Sequence, residues 1–125
     1  MDATHAPPLA PDELSQLCRA LRALLQDWPA QAALPTYQQV AVRLGLRPPL
    51  TVHRVIQALE QLMREDAAAG RPLLAARVLG RVRGGLPAPG FFALAQTLGL
   101  YAGAESGPQA SAFHQAQLRA LAAAD

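Results

Sequence analysis

Residues 36–83 read TYQQVAVRLGLRPPLTVHRVIQALEQLMREDAAAGRPLLAARVLGRVR, and the interpretation of the whole chain depends on this stretch. It contains two segments with apolar residues at helical spacing, separated by a turn with two prolines. A short apolar run and an arginine-rich segment follow. The pattern predicts two helices joined by a turn, then a strand, then a basic loop. No other part of the sequence carries a pattern with chemistry of its own.

The first predicted helix begins at Thr36. Thr36 with Gln39 three residues later forms a capping box, in which each residue satisfies a backbone N–H near the other. The apolar residues that follow share one face at helical spacing. Gly45 then suits a left-handed C-terminal cap. These signals predict a short helix between about Thr36 and Gly45.

The second predicted helix follows Pro48 and Pro49, which stiffen the turn, and has Thr51 as its expected N-cap. Its apolar residues recur every three or four positions and predict a buried face; they are Val52, Val55, Ile56, Leu59, Leu62 and Met63. The opposite face is polar and carries His53, Arg54, Gln57, Gln61 and Arg64, with the small Ala58 among them. Arginine and glutamine can read base edges in a major groove, where a small residue allows close approach.

A strand and an arginine-rich loop are predicted after the second helix. The apolar run at residues 73–79 is typical of a short strand, and Arg77, Arg81 and Arg83 alternate so that they would point to one side. Two helices, a strand and a basic loop, in this order, are typical of a winged helix-turn-helix. A solvated turn with scattered charges is the competing interpretation of the loop.

Charge is distributed unevenly along the chain. Residues 36–83 contain eight arginines and three acidic residues, whereas the remainder contains three arginines and six acidic residues. A basic centre with acidic flanks is typical of a localised site for a polyanion. Two alternatives stay open: chance clustering, and a GC-rich bacterial genome, because all eleven basic residues are arginine and none is lysine.

The chain of 125 residues is long enough for one domain with a hydrophobic core. We expect a flexible N-terminus at residues 1–10 and a single, mainly α domain at residues 11–125, with the winged-helix core at about 36–85 and extra helices on its flanks. The first flanking helix starts at Pro11 and has a long apolar stripe that could also serve as a homodimer surface: Leu14, Leu17, Cys18, Leu21, Leu24, Leu25 and Trp28. Phe91 and Phe92 are predicted core residues of a further short helix that Gly99 ends, and residues 111–124 are predicted to be helical.

Several classes of function lack the residues they need. Cys18 is the only cysteine and belongs to an apolar stripe, so we expect a buried thiol and no disulfide. His5, His53 and His114 are far apart and have no ligand-spaced partners, so no metal or cofactor is predicted. No nucleophile motif is visible, and the protein is not expected to be an enzyme. The sequence shows no signal peptide and no membrane span, which makes a cytoplasmic protein the default expectation.

The motifs TYQQVAVRLGL, TVHRVIQAL and RPLLAARVLGRVRGGL resemble the C-terminal winged-helix domain of O6-alkylguanine-DNA alkyltransferases and alkyltransferase-like proteins. The resemblance covers residues 36–85. It implies that Tyr37 helps to turn a nucleotide out of the duplex, and that His53, with Arg54 beside it, stands where the family has an arginine that fills the gap. The family's Pro-Cys-His-Arg motif is absent, which argues against alkyl transfer. The same helices also resemble GntR-type regulators, which have a similar LPT segment before the first helix.

The predicted function is therefore binding of double-stranded DNA without catalysis, in transcription regulation or in lesion recognition. The residues predicted to contact DNA are Tyr37, Arg47, Thr51, His53, Arg54, Gln57, Gln61, Arg71, Arg77, Arg81 and Arg83. Among them, the residues after position 70 are assigned to phosphates and those of the second helix to the groove. The alternative is a protein-interaction or assembly module, in which the arginine face pairs with an acidic partner and the N-terminal helix supplies an apolar surface.

Overall fold

The computed structural model describes residues 9–124. Over this range the chain forms five α-helices and one 3-10 helix: α1 (Pro11–Gln26), α2 (Tyr37–Arg43), α3 (Thr51–Ala68), the 3-10 helix (Leu74–Arg77), α4 (Pro89–Thr97) and α5 (Pro108–Ala124). The prediction of a mainly α protein is confirmed. The predicted flexible segment at residues 1–10 lies outside the described residues except for Leu9 and Ala10, which precede α1. None of the described helices is long and apolar enough to cross a membrane.

Helix α3 is the centre of the fold. It packs against α1, α2, α4 and the 3-10 helix, while α5 covers the other side of the 3-10 helix. The face of α3 that was predicted to be apolar supplies Val55, Leu59, Leu62 and Met63 to the core. This arrangement leaves the opposite face of α3 on the surface.

The capping box at the start of α2 is confirmed. The backbone N–H of Gln39 donates to Thr36 Oγ1 (3.2 Å), and the backbone N–H of Thr36 donates to Gln39 Oε1 (2.9 Å). Gly45 follows the helix with a positive φ of 70°, as predicted for a left-handed cap.

Helix α3 starts where it was expected, but the prediction that Thr51 caps it is wrong. Thr51 is already the first helical residue, so its hydroxyl lies one position too late to act as the cap. The N-cap is Leu50, whose φ is 65° and whose side chain has no hydrogen-bonding group. No side chain therefore caps the N-terminus of α3.

The prediction of a strand at residues 73–79 is also wrong. Residues 74–77 form the 3-10 helix, and Leu79 makes only an isolated bridge to Thr36. Local bonds occupy the backbone that a strand would need, because the N–H of Ala76 donates to the carbonyl of Leu73 and the N–H of Val78 to that of Ala75. The whole run at 73–78 is buried, and a short run buried on all sides has no periodicity that separates strand from helix.

Asp66 holds this part of the fold together. Its carboxylate is only 1% exposed and accepts hydrogen bonds from Arg22 of α1 (2.9 Å), Arg71 (3.1 Å) and the backbone N–H of Leu74 (3.2 Å). A buried carboxylate requires such partners because burial removes it from water. The contacts join α1, the end of α3 and the start of the 3-10 helix.

Ala58 belongs to the interface between α1 and α3, which corrects its predicted place on the polar face. It is fully buried, and its carbonyl accepts a hydrogen bond from the Cys18 thiol at 3.6 Å. Its small side chain therefore permits the close approach of α1 and not of a ligand. The predicted burial of Cys18 is confirmed, and Leu21 and Leu25 of the same stripe are buried with it.

An aromatic cluster closes the other side of the core. Phe91 and Phe92 are buried, as predicted, and lie edge to face with ring centroids 5.1 Å apart. Tyr101 and Phe113 complete the cluster, with ring centroids 4.7 Å apart. Helix α4 ends before Gly99, which has the positive φ expected at a helix end.

Candidate nucleic-acid interface

Helices α2 and α3 pack against each other and are joined by the connection at residues 44–50. His53 and Arg64 are exposed on the outer side of α3, and Gln57 lies between them on the same face, partly buried. Arg54 lies at the edge of this face, and Arg47 is exposed in the preceding turn. We call these five residues the α3 face.

The N-terminus of α3 adds to the positive potential of this face. No capping side chain accepts a hydrogen bond from its first backbone N–H groups, and its first turn contains no acidic residue. Free N–H groups at a helix N-terminus favour anions such as phosphate. The α3 face therefore combines arginine side chains with a helix end of the same sign.

The structure separates the arginines into two groups. Among the described residues, none forms a hydrogen bond, ion pair or ring contact with Arg47, Arg54, Arg64 or Arg81. Their guanidinium groups are therefore available to a ligand. Arginines of the second group, which are bound within the protein, include three that were predicted to contact phosphates.

Arg77 is the clearest correction to the predicted site. It is 9% exposed, and its guanidinium donates a hydrogen bond to the carbonyl oxygen of Leu25 at 2.8 Å. Because the 3-10 helix turns this side chain into the core, Arg77 does not face a phosphate. The predicted alternation of Arg77 with Arg81 and Arg83 along a strand is not formed.

Arg83 and Arg71 are also engaged. The guanidinium of Arg83 donates to the carbonyl oxygens of Pro87 (3.2 Å) and Glu105, which folds the side chain back across the loop. Arg71 pairs with Asp66, although half of its side chain remains exposed. Of the arginines predicted to contact phosphates after position 70, Arg81 alone combines an exposed side chain with the absence of any contact within the described chain.

Tyr37 has a structural contact that the resemblance did not imply. Its hydroxyl oxygen accepts a hydrogen bond from the backbone N–H of Ala88 (2.8 Å), which ties α2 to the start of α4. Burial raises the pKa of the Tyr37 phenol above its usual value. The ring lines an apolar slot with Leu59 and Phe91 and is partly buried, and the predicted role in turning out a nucleotide stays a prediction.

The two glutamines of α3 differ in their surroundings. Gln61 lies at the edge of the α3 face, one turn after Gln57, but its amide donates a hydrogen bond to Glu65 (3.2 Å) and lines a groove beside α1. The Oε1 atom of Gln57 is buried without a partner, while the residue as a whole stays partly exposed. Thr51 is partly buried at the start of the helix.

The residues of the α3 face are not the same set as the residues that were predicted to contact DNA. The structure brings together Arg47, His53, Arg54 and Gln57 of the predicted set, and adds Arg64. The sequence contained the signal for Arg64, since its helical spacing from His53 and Gln57 puts it on the same face. Arg43 is exposed as well, but its guanidinium lies over the Trp28 ring, 5.1 Å from the centroid.

No protein family, curated protein or solved structure matches this chain. Among the described residues there is no group of histidine, cysteine, aspartate or glutamate side chains that could hold a metal ion.

Proposed function

We propose that this protein binds double-stranded DNA without catalysis, and that α3 enters the major groove. The observation that supports this most directly is the sorting of the arginines. Arg47, Arg54 and Arg64 lie on or beside the outer face of one helix and have no partner among residues 9–124, whereas four other arginines are bound within the protein: Arg22, Arg71, Arg77 and Arg83. Unpaired cations gathered on one helix are suited to a polyanion.

The residues of the α3 face divide by the role each would play. Arg54, Gln57 and His53 lie in the first two turns of α3, the part of a recognition helix that meets base edges. Arg47 precedes the helix and Arg64 lies toward its end, where the phosphate backbones would pass. The open N-terminus of α3 would meet a phosphate as well.

The loop at residues 80–86 takes the place of the predicted wing in this proposal. The backbone N–H of Gly80 donates to the carbonyl of Leu86 (2.9 Å), which closes the loop at its base. Arg81 projects from it without a partner in the described chain. Arg81 would contact the phosphate backbone beside the groove from this loop, in place of a wing built from strands.

A salt series of binding titrations with duplex of random sequence tests the proposal. Affinity should fall with salt, with a log–log slope of about 0.9 for each phosphate neutralised. Changing Arg64→Ala or Arg81→Ala should weaken binding to all sequences alike and reduce the slope by roughly one. Arg119→Ala is the matched control, because Arg119 is an exposed arginine without a partner in the described part of the chain, and its helix α5 packs against the 3-10 helix.

Base reading needs a separate measurement. Replacing Arg54 or Gln57 by Ala should change the preference among duplex sequences by about 1–3 kcal/mol for each base that is no longer read. The salt slope of Gln57→Ala should stay close to that of wild type, because glutamine carries no charge. The lesion-recognition version predicts that His53→Ala weakens binding only to duplex with a modified or flipped base. If neither wild type nor any of these variants gives a binding signal above background with duplex at low salt, the protein does not bind DNA.

A protein-interaction module is the competing function, in which an acidic protein covers the α3 face. The apolar surface of α1 that this version needs is reduced, because Cys18, Leu21 and Leu25 of the stripe are buried inside the fold, while the rest of the stripe stays partly exposed: Leu14, Leu17, Leu24 and Trp28. Absence of DNA binding at low salt, together with capture of an acidic protein that Arg64→Ala weakens, would favour it.

A further inference from the structure

Val82 is an apolar side chain held out in solvent. It lies at the tip of the loop at residues 80–86 and is 97% exposed, more than Val42 (67%) or Leu100. Hydrogen bonds hold the loop in one conformation: the backbone N–H of Gly80 donates to the carbonyl of Leu86 at its base, and the guanidinium of Arg83 donates to the carbonyls of Pro87 and Glu105. The isopropyl group is therefore presented at a defined position.

The surface also has an apolar slot of a size that could accept a side chain such as valine. It has a volume of about 80 Å³ and lies between α3, the 3-10 helix and the start of α4. Its walls include Ile56, Leu59, Met63, Ala75 and Phe91. Such a volume is about half that of a ~150 Å³ apolar cavity that accepts benzene, so it suits one small branched side chain.

Charges beside Val82 and beside the slot are opposite. Glu60 is the charged residue of the slot lining and is partly exposed, and no described residue pairs with its carboxylate. Arg81 precedes Val82 in the chain, is exposed, and likewise has no partner among the described residues. A loop tip that inserted Val82 would bring the Arg81 guanidinium to the rim where Glu60 lies.

We propose that the occupant of the slot is Val82 of a second copy of this chain, with Arg81 of one copy paired to Glu60 of the other. Two different surfaces meet in this contact, so it forms either a reciprocal pair or a chain of copies. One inserted side chain and one ion pair cover far less than the ~1,200 Å² of a stable interface. The association is therefore weak and depends on concentration.

The inference does not rest on DNA binding, and it is tested without DNA because Arg81 is also assigned to a phosphate. Sedimentation velocity over a concentration series, from micromolar to near millimolar, should show the wild-type protein associating as concentration rises. Val82→Ser should weaken association about ten-fold or more, since it removes the buried apolar group. Val42→Ser is the matched control, because Val42 is an exposed valine of α2 that is not part of the slot lining.

Charge exchange tests the pairing. Arg81→Glu and Glu60→Arg should each weaken association, and the double variant should restore it to near the wild-type level. A wild-type protein that stays monomeric at every concentration overturns the proposal, as does association that Val82→Ser leaves unchanged or that the double exchange fails to restore. Weaker DNA binding by Val82→Ser in a monomeric protein would assign the loop tip to DNA and also overturn it.

Discussion

The guanidinium of Arg77 donates a hydrogen bond to the carbonyl oxygen of Leu25, at 2.8 Å and across 52 positions of the chain. Leu25 lies in the last turn of α1, where backbone carbonyls lack the usual partner four residues on, and its carbonyl otherwise accepts only a long bond, 3.4 Å, from the backbone N–H of Trp28 at the helix end. Helix α1 has no basic residue of its own in that turn. Arg77 supplies the cation that a helix C-terminus favours, and it joins the 3-10 helix to α1.

We expect Arg77→Ala to destabilise the protein by about 1.5–3 kcal/mol, because it removes a charge-assisted hydrogen bond and leaves the carbonyl of Leu25 with only the long bond from the backbone N–H of Trp28. Urea unfolding followed by circular dichroism measures this as a lower midpoint at constant slope. Arg81→Ala is the control and should stay within about 0.5 kcal/mol of wild type, since Arg81 is exposed and contacts no other residue that the structure describes. Equal stability of the two variants would contradict the structural role of Arg77.

Local features of the fold could be predicted from the sequence because they depend on neighbouring residues. The capping box of Thr36 and Gln39, the left-handed Gly45 and the apolar stripe of α3 each involve residues close together in the chain. Phe91 and Phe92 were predictable as core because large aromatic side chains are seldom left in water.

The features that could not be predicted depend on partners far along the chain. The sequence of residues 73–79 is typical of a strand. In the structure the carboxylate of Asp66 accepts a hydrogen bond from the backbone N–H of Leu74, and residues 74–77 form a 3-10 helix. The assignment of arginines to DNA failed for Arg77 and Arg83 for the same reason. Which carbonyls need a donor is known only after the helices pack, and then Leu25 and Pro87 accept bonds from these side chains.

The stability of the protein should depend on His114 at mildly acidic pH. His114 is 1% exposed, and its Nε2 donates to the carbonyl of Ala76 (2.8 Å), so the neutral ring leaves Nδ1 as a buried acceptor without a partner. Burial lowers its pKa below the usual value. Between that lowered pKa and about 6.5 the unfolded chain binds more protons than the folded one, so stability falls as pH decreases through this window.

The pH dependence is checked by measuring the free energy of unfolding at intervals from about pH 7.5 to 5, above the range where most carboxylates titrate. His114→Gln should flatten the loss of stability toward low pH, whatever its effect on stability at neutral pH. The control is His53→Gln, because His53 is exposed. If His114→Gln and wild type lose stability in parallel, burial of the neutral ring does not govern this window.

The thiol of Cys18 should react slowly in the folded protein. Its Sγ is buried and donates to the carbonyl of Ala58 (3.6 Å). Burial raises its pKa, the nearby Glu65 carboxylate adds to the effect, and Arg22 opposes it. Because the thiolate is the reactive form, labelling with a thiol reagent at neutral pH should be much slower in buffer than in urea. Rapid labelling of the native protein would place Cys18 on the surface and reopen a catalytic role.

Gly80 and Arg83 should be energetically coupled. A Cβ atom on Gly80 would lie 2.5 Å from Arg83 Cγ, while the Arg83 Cβ, at 3.4 Å, and the Leu86 carbonyl oxygen, at 3.5 Å, are at ordinary contact distance. Gly80→Ala should therefore force the Arg83 side chain away from Pro87 and Glu105 and break both of its hydrogen bonds. In an Arg83→Ala background the obstructing atom is absent, and the same glycine substitution should be nearly neutral.

A double-mutant cycle on these two positions, followed by urea unfolding, should give a coupling free energy within about 0.5–3 kcal/mol. Gly90→Ala is the matched control: Gly90 lies in α4, and a Cβ atom there meets nothing within 4 Å. It should leave stability unchanged or raise it slightly, since alanine favours the helix by roughly 0.5–1 kcal/mol. Additive effects of Gly80→Ala and Arg83→Ala would mean that the loop does not hold Arg83 across Gly80. The rigid presentation of Val82 would then lose its support.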